Sequence, residues 1–484
     1  MLRKFKNNFL FGTAISAFQT EMGHSRESIS ENSDWYLWTH DEFTKKMNYV
    51  SGDLPEDGPN FWDKYREYID KILYMNNNSI RLSIDWSRIF KNSTENIKVN
   101  YKKNDRDDIY DVEFNNNIFN ELNEIADNEA VSYYREIFNY IKSKNIKILL
   151  TLYHWPLPLW LHDPVQCNRD INKTDKTGWL NKNTVLEFAK YTYFVYKKFS
   201  EYIAMWHTLN EPNIIAINGY LYGNLENFPP GLSNYGYTIR VLRNLAYAHN
   251  IAYKTIKSIN KNAYVGINIA SPYFEPEKNE ENNIFISNYV NYLFNELYLD
   301  SALYGNFDNS LSGLFDESRP YEFSGTDFIG IDYYSRITVR YVNNDDVDIR
   351  LRYTFLPCNK CSDNYWDIYP EGIRKVSNII FNRYRKPVII MENGVADSDD
   401  KLRSDFIRDH IIELHKAIKN DRIDIIGYYH WSLMDNYEWA HGFKYRFGLY
   451  KIENNNIVKT GAVDLYKNIC SENGIEDGAY KEYP

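Results

Sequence analysis

The sequence predicts a closed (β/α)8 barrel, with the whole chain 1–484 forming one catalytic-size unit. Three observations carry this reading. Eight apolar or β-branched runs recur along the chain, amphipathic helical stretches separate most of them, and polar or aromatic residues stand directly at their C-terminal ends. Strands alternating with helices imply a parallel sheet with right-handed crossovers. Eight such units favour closure over an open sheet. No Gly-x-Gly-x-x-Gly turn follows the first run and no phosphate loop occurs, so nucleotide-binding folds lose their usual support.

The first run is Phe9–Ser16, followed by Gln19 and Glu21; the second, Ile80–Ile84, leads into Asp85-Trp86-Ser87-Arg88. Ile146–Leu152 ends at His154-Trp155, and Ile203–Leu209 at Asn210-Glu211-Pro212, where proline's fixed φ closes the strand. Ala263–Ile269 and Phe328–Tyr333 are the fifth and sixth runs. Pro387–Met391 meets Glu392-Asn393-Gly394, read as a tight turn, in its plainest form one with Gly394 at a positive φ. Ile425–Tyr429 leads to His430-Trp431. The clearest helical stretches are Ala130–Lys144, Asn183–Glu201 and Asp405–Ile418. Loops are polar in any fold, but that does not place carboxylates and tryptophans directly at so many strand ends, where a barrel's site gathers. The long connections 20–79 and 90–130 are the expected pocket walls, and Lys91–Asn117, rich in Asn, Asp and Lys, reads as a solvated, mobile loop.

Composition bounds the partners. With 43% hydrophobic and 25% charged residues, the 484-residue chain can bury an ordinary core, and barrels with long insertions exceed about 400 residues as one unit. The net charge of −10, without a basic stripe, removes electrostatic support for nucleic acid or an anionic membrane. No run of about 18 apolar residues predicts a membrane span. The N-terminus imitates a secretory signal, yet Asn7-Asn8 interrupts it and Gly12-Thr13 breaks the apolar run, so a first strand is preferred. Four cysteines are too few for a disulfide framework, and a reduced, cytoplasmic location is the default. Cys358-Asn-Lys-Cys361 has no second pair and no close His, and reads as incidental loop cysteines rather than a metal or redox site. The 43 Tyr and 11 Trp suit a carbohydrate pocket, although most of that count reflects general composition.

Glu211 and Glu392 end the fourth and seventh runs, which a closed barrel brings to one mouth. Hydrolysing a glycosidic bond with retention needs two carboxyl groups about 5–5.5 Å apart, one protonated and one ionised. Trp206-His-Thr-Leu-Asn-Glu-Pro212 and Val388-Ile-Ile-Met-Glu-Asn-Gly394 resemble the acid/base and nucleophile segments of glycoside hydrolase family 1. Phe9–Gln19, Arg81–Arg88, Tyr153-His-Trp155, Asp327–Tyr334 and His430–Trp439 extend the resemblance in family order over nearly the whole chain. Ser51–Pro59, Tyr153–Pro164 and Trp366–Gly372 look like the archaeal β-galactosidase/β-glucosidase branch.

The resemblance implies a retaining exo-β-glycosidase acting on terminal β-D-glucosides and β-D-galactosides, with Glu392 as nucleophile and Glu211 as acid/base. Arg81 and Tyr334 would keep Glu392 ionised. Gln19, His154, Trp155, Asn210, Glu438 and Trp439 match the family's residues that grip sugar hydroxyls, Trp431 would floor the pocket, and Trp366 would offer a platform to the leaving group. The expected partner is a small-molecule or oligosaccharide β-glycoside; no cofactor, metal, nucleic acid or membrane is expected, and a homo-oligomer is allowed. Asp332 stands where the family usually has Asn, and by period two it shares a strand face with Tyr334. Two readings stay open: a third carboxylate that raises a catalytic pKa by repulsion, or a hydrogen-bonded spectator. A 6-phosphoglycosidase is disfavoured because Glu438, Tyr445 and Phe447 replace its phosphate-binding set, with an anionic Glu438 expected to repel phosphate. A catalytically silent relative is disfavoured because both glutamates are present.

Overall fold

The structure is a computed structural model that describes residues 2–344, 346–453 and 456–476. Eight parallel strands close in chain order: β1 (Leu10–Ala14), β2 (Ser79–Ser83), β3 (Lys147–Tyr153), β4 (Met205–Leu209), β5 (Val265–Ala270), β6 (Phe328–Asp332), β7 (Val388–Asn393) and β8 (Ile425–Trp431), which pairs with β1. Their ends depart from the eight sequence runs by at most two residues. Helices α1 (Phe61–Tyr74), α2 (Asn128–Ser143), α3 (Asn183–Phe199), α4 (Tyr235–Ile259), α5 (Leu297–Tyr304), α6 (Glu371–Tyr384), α7 (Arg403–Lys419) and α8 (Ala462–Glu472) follow the strands in turn. Both strand faces are covered, which is why these strands read as near-continuous apolar runs.

The barrel interior is filled, not hollow. Leu10, Leu149, Met205, Phe328, Ile389, Met391 and Tyr429 pack into one inner cluster, mostly from the first halves of their strands. Gly330 lacks a side chain for a reason: a Cβ there would lie 2.3 Å from the Met391 sulfur. This plug leaves the C-terminal strand ends to polar residues and so sets the floor of the site.

Three expectations are corrected. Lys91–Asn117 is no mobile loop: Asn100–Lys103 pairs antiparallel with Ile109–Glu113, and Ile97 and Ile109 are buried. Its charges have partners, since buried Asp108 accepts from Arg243 Nε at 2.7 Å and Asp105 pairs with Arg319 at 2.6 Å. Cys358 and Cys361 are not incidental but disulfide-bonded, because their turn brings the Cα atoms to 5.4 Å; Cys167 and Cys470 are free. Glu392 and Asn393 belong to β7 itself, and Gly394 has no positive φ. Its missing side chain serves a close approach instead, for a Cβ would stand 1.8 Å from the Trp431 carbonyl oxygen. Among the described residues, no helix is long and apolar enough to cross a membrane.

Candidate active site

Inward-facing residues of β2 alternate with the apolar outward ones, and the central one is Arg81, fully buried. Its Nη1 donates to Glu392 Oε1 and its Nη2 to Asn210 Oδ1. Tyr334 completes the setting of Glu392, its hydroxyl donating to Oε2 at 2.7 Å. Burial, and after it the charge of Glu392, push the Tyr334 phenol well above its ordinary range, so it stays a donor. A guanidinium and a phenol thus both donate to this one carboxyl group, one to each oxygen.

Glu211 has the opposite surroundings. It sits between β4 and the helix that Pro212 begins, with a left-handed φ of 43°. A non-glycine residue holds such a backbone only where neighbours fix it, and here its peptide N–H donates to Asn268 Oδ1 at 2.9 Å. Burial, and then the nearby Glu392 charge, push its carboxyl well above the ordinary range. One oxygen each of Glu211, Glu392 and Asp332 lie within 4.8 Å of one another. This trio is the set of acidic groups that could converge on a cation among the described residues, and Arg81 already supplies a positive charge there.

The remaining sequence-predicted residues gather around this trio. Asn210 Nδ2 bonds His154 Nε2 at 3.2 Å, which leaves the hydrogen of neutral His154 on Nδ1. That atom has no partner among the described residues, and burial followed by the charge of Arg81 holds the ring neutral. Gln19 is fixed by Ser16 and Asn436, at 2.7 and 3.1 Å. Trp431, Trp439 and His154 form an aromatic wall, with ring centroids 6.0 and 6.1 Å from His154. Trp155 packs against Trp439 with ring centroids 4.5 Å apart and the planes tilted by 41°, but its indole N–H is spent on the Asn210 carbonyl at 3.1 Å, so it contributes a surface rather than a donor. Trp366 stands at the rim, 42% exposed, its ring 5.1 Å from that of Tyr334.

Glu438 departs from expectation in its charge. Burial pushes its carboxyl up to about 8, against the opposing bond from Trp431, so it is a neutral acid at neutral pH rather than a fixed anion. A neutral carboxyl both donates and accepts, which suits adjacent sugar hydroxyls.

Sequence reasoning missed Asn268 on β5. Its Nδ2 donates to Asn210 Oδ1 at 2.9 Å and to Asp332 Oδ2, while its Oδ1 accepts from Glu211 N and from His207 Nε2 at 3.0 Å. The signal was present as a lone Asn inside the apolar run Val265-Gly-Ile-Asn-Ile-Ala270, where a polar residue needs buried partners.

The model of glycosyl hydrolase family 1 matches residues 1–124 and 116–475. The chain belongs to glycosyl hydrolase family 1. It is therefore an O-glycosyl hydrolase. It is 35% identical to a β-galactosidase of Saccharolobus solfataricus, covering 98% of this chain and 96% of that one. β-Glucosidase A of Thermotoga maritima is 29% identical, covering 98% and 100%. The solved β-glycosidase of Thermosphaera aggregans superposes with a TM-score of 0.91 at 34% identity, covering 98% of each chain. The described closed barrel is the family's fold.

Proposed function

We propose that this family 1 hydrolase is a retaining exo-β-glycosidase for terminal β-D-glucosides and β-D-galactosides, with Glu392 as nucleophile and Glu211 as acid/base. The observation that carries the assignment is the inequality of two carboxyls close enough for retention. Glu392 accepts from the Arg81 guanidinium and the Tyr334 hydroxyl, whereas burial makes Glu211 keep its proton. Glu211 gives that proton to the leaving oxygen as Glu392 attacks the anomeric carbon. The aglycone departs past Trp366, water enters, and Glu211 takes its proton while Glu392 is released.

The glycone is read by Gln19, His154, Asn210, Glu438 and Trp439 over the floor of Trp431. A neutral Glu438 can donate to one hydroxyl and accept from its neighbour, which accommodates both gluco and galacto configurations. Relatives named β-galactosidase and β-glucosidase support the same pair of substrates. The whole chain acts as one catalytic unit in this reading.

A panel of nitrophenyl glycosides, with the first product's anomer followed by NMR, tests the assignment. The β-glucoside and β-galactoside should be cleaved to β-configured sugar, and Glu392→Gly should abolish cleavage. An α-configured first product would overturn the retaining mechanism.

A further inference from the structure

Three carboxylates share the barrel mouth with one guanidinium. Asp332 is 1% exposed, Glu392 4% and Glu211 7%, so none is relieved by bulk water. Asp332 pairs in register with Glu392, where the β6–β7 ladder shifts. Arg81 spends its terminal nitrogens on Glu392 and Asn210. The other groups facing Asp332 offer no positive charge: Tyr334 is a phenol, and His207, reached through Asn268, is kept neutral by burial and by Arg81. His154 is neutral for the same reasons. Three anions against one cation is a costly buried arrangement.

Asp332 reports how the cost is avoided. Its Oδ2 accepts from Asn268 Nδ2, while its buried Oδ1 has no donor among the described residues. One oxygen of Asp332 lies within 4.8 Å of one of Glu211, with Glu392 equally close, and buried carboxyl groups so near one another cannot all ionise, so the pair keeps a proton.

We propose that Glu211 and Asp332 hold one proton in common, which makes Asp332 a positioning residue that keeps the acid/base loaded. This rests on the reading of Glu211 as acid/base. In the resting site, the Glu392 carboxylate balances Arg81, and the proton-sharing pair carries a single negative charge. As the glycosidic C–O bond breaks, its oxygen takes the shared proton from Glu211 and the anomeric carbon forms an ester with Glu392. The ester is neutral, so Arg81 is freed to balance the second carboxylate of the pair. In the second half, water's oxygen bonds to the anomeric carbon, its proton returns to the pair through Glu211, and Glu392 leaves as carboxylate. The charge summed over the four side chains is the same at every stage. Burial, and after it the Glu392 charge, push both members of the pair above the ordinary carboxylate range, as this requires.

The test is the pH dependence of kcat/KM for wild type and Asp332→Asn. Asn keeps the volume and can accept from Asn268, but it carries neither charge nor acidic proton. Without the anionic neighbour Glu211 should lose its proton at lower pH, so the alkaline limb should move acidward by about one unit, a tenfold loss on that limb. A purely structural role would lower the profile without moving it. An unmoved limb, or one moved towards alkali, overturns the proposal; Asp332→Ser serves if Asp332→Asn does not fold. Glu211→Ala, assayed with dinitrophenyl and alkyl β-glycosides, separates the two readings. Equal losses on both would refute Glu211 as acid/base, whereas a much larger loss on the alkyl glycoside with an unmoved Asp332→Asn limb refutes proton sharing alone.

Discussion

Asn268→Leu removes the centre of the polar network while keeping the branching and heavy-atom count of the side chain. Four hydrogen bonds go with the amide, and the consequences differ by partner. Asn210 Oδ1 keeps Arg81 as donor. The peptide N–H of Glu211, Nε2 of His207 and Oδ2 of Asp332 lose the partners described above. A change of tautomer would let His207 Nδ1 donate to Thr151 Oγ1, 2.9 Å away, but would still leave Nε2 without a partner. Each buried orphan costs about 1–3 kcal/mol, and three sum to about 3–9 kcal/mol. Water entering the open mouth relieves part of this, so the low end, about 3 kcal/mol, is the expectation. Activity should fall further than stability, because the N–H anchor holds Glu211 at its left-handed φ, and a misplacement of about 1 Å costs on the order of 100-fold. Thermal unfolding and nitrophenyl-glycoside kinetics measure the two effects side by side. Ile269→Val on the same strand is the control, with about 0.5–1.5 kcal/mol expected and no polar loss. The reasoning fails if Asn268→Leu melts like wild type or retains kcat/KM within threefold.

Glu438 should give stability a pH slope. Its carboxyl is pushed up to about 8 in the fold from an ordinary 4.5, so the folded form binds the extra proton between those values and stability declines as pH rises through that window. Glu438→Gln should melt with less decline between pH 5 and 8; an unchanged slope counts against a neutral Glu438. Reduction of Cys358–Cys361 by a dithiol should loosen the rim, because Asn359 and Lys360 inside the loop both donate to Asp367, which adjoins Trp366. An aromatic contact of about 0.5–1.5 kcal/mol corresponds to a rise of roughly 2–12-fold in KM for aryl aglycones. Full reduction by mass spectrometry with KM unchanged would disconnect the loop from the rim. Arg243→Met should cost about 1–3 kcal/mol by taking a charged donor from buried Asp108, which keeps Lys182, and from Glu317, which keeps Arg106 and Arg319, and should open the hairpin 100–113 to limited proteolysis; an uncut hairpin would mean that apolar packing and the remaining ion pairs secure it.

The barrel was legible because a parallel sheet covered on both faces writes each strand as an unbroken apolar run, and the tight strand ends left little room for misplacement. Glu211 and Glu392 were legible for the same reason, each standing where such a run stops. The hairpin at 100–113 was not: its strand Asn100–Lys103 is exposed on every residue, and its order comes from Arg243 and Arg319, more than a hundred residues away. The Cys358–Cys361 bond escaped because composition speaks to frameworks of many cysteines, whereas one short bridge depends on a local turn. Asn268 was overlooked because its strand was counted as core, though a buried amide is itself a statement about partners.

Charge state is the property furthest from the sequence. Asp332 and Glu438 are both carboxyls among aromatic neighbours, and composition assigns each a negative charge. What changes that assignment is distance: one cation reaches Glu392 and Asn210 but donates nothing to Asp332, and Trp431 gives Glu438 one bond without a charge. A carboxyl with a donor and no cation is stable as an acid, and one placed against another carboxyl is stable by sharing. Both arrangements follow from filling the lower barrel with apolar side chains, because that plug confines every polar group to one crowded layer. The packing that makes the fold easy to read thus decides which of its carboxylates can be ionised together.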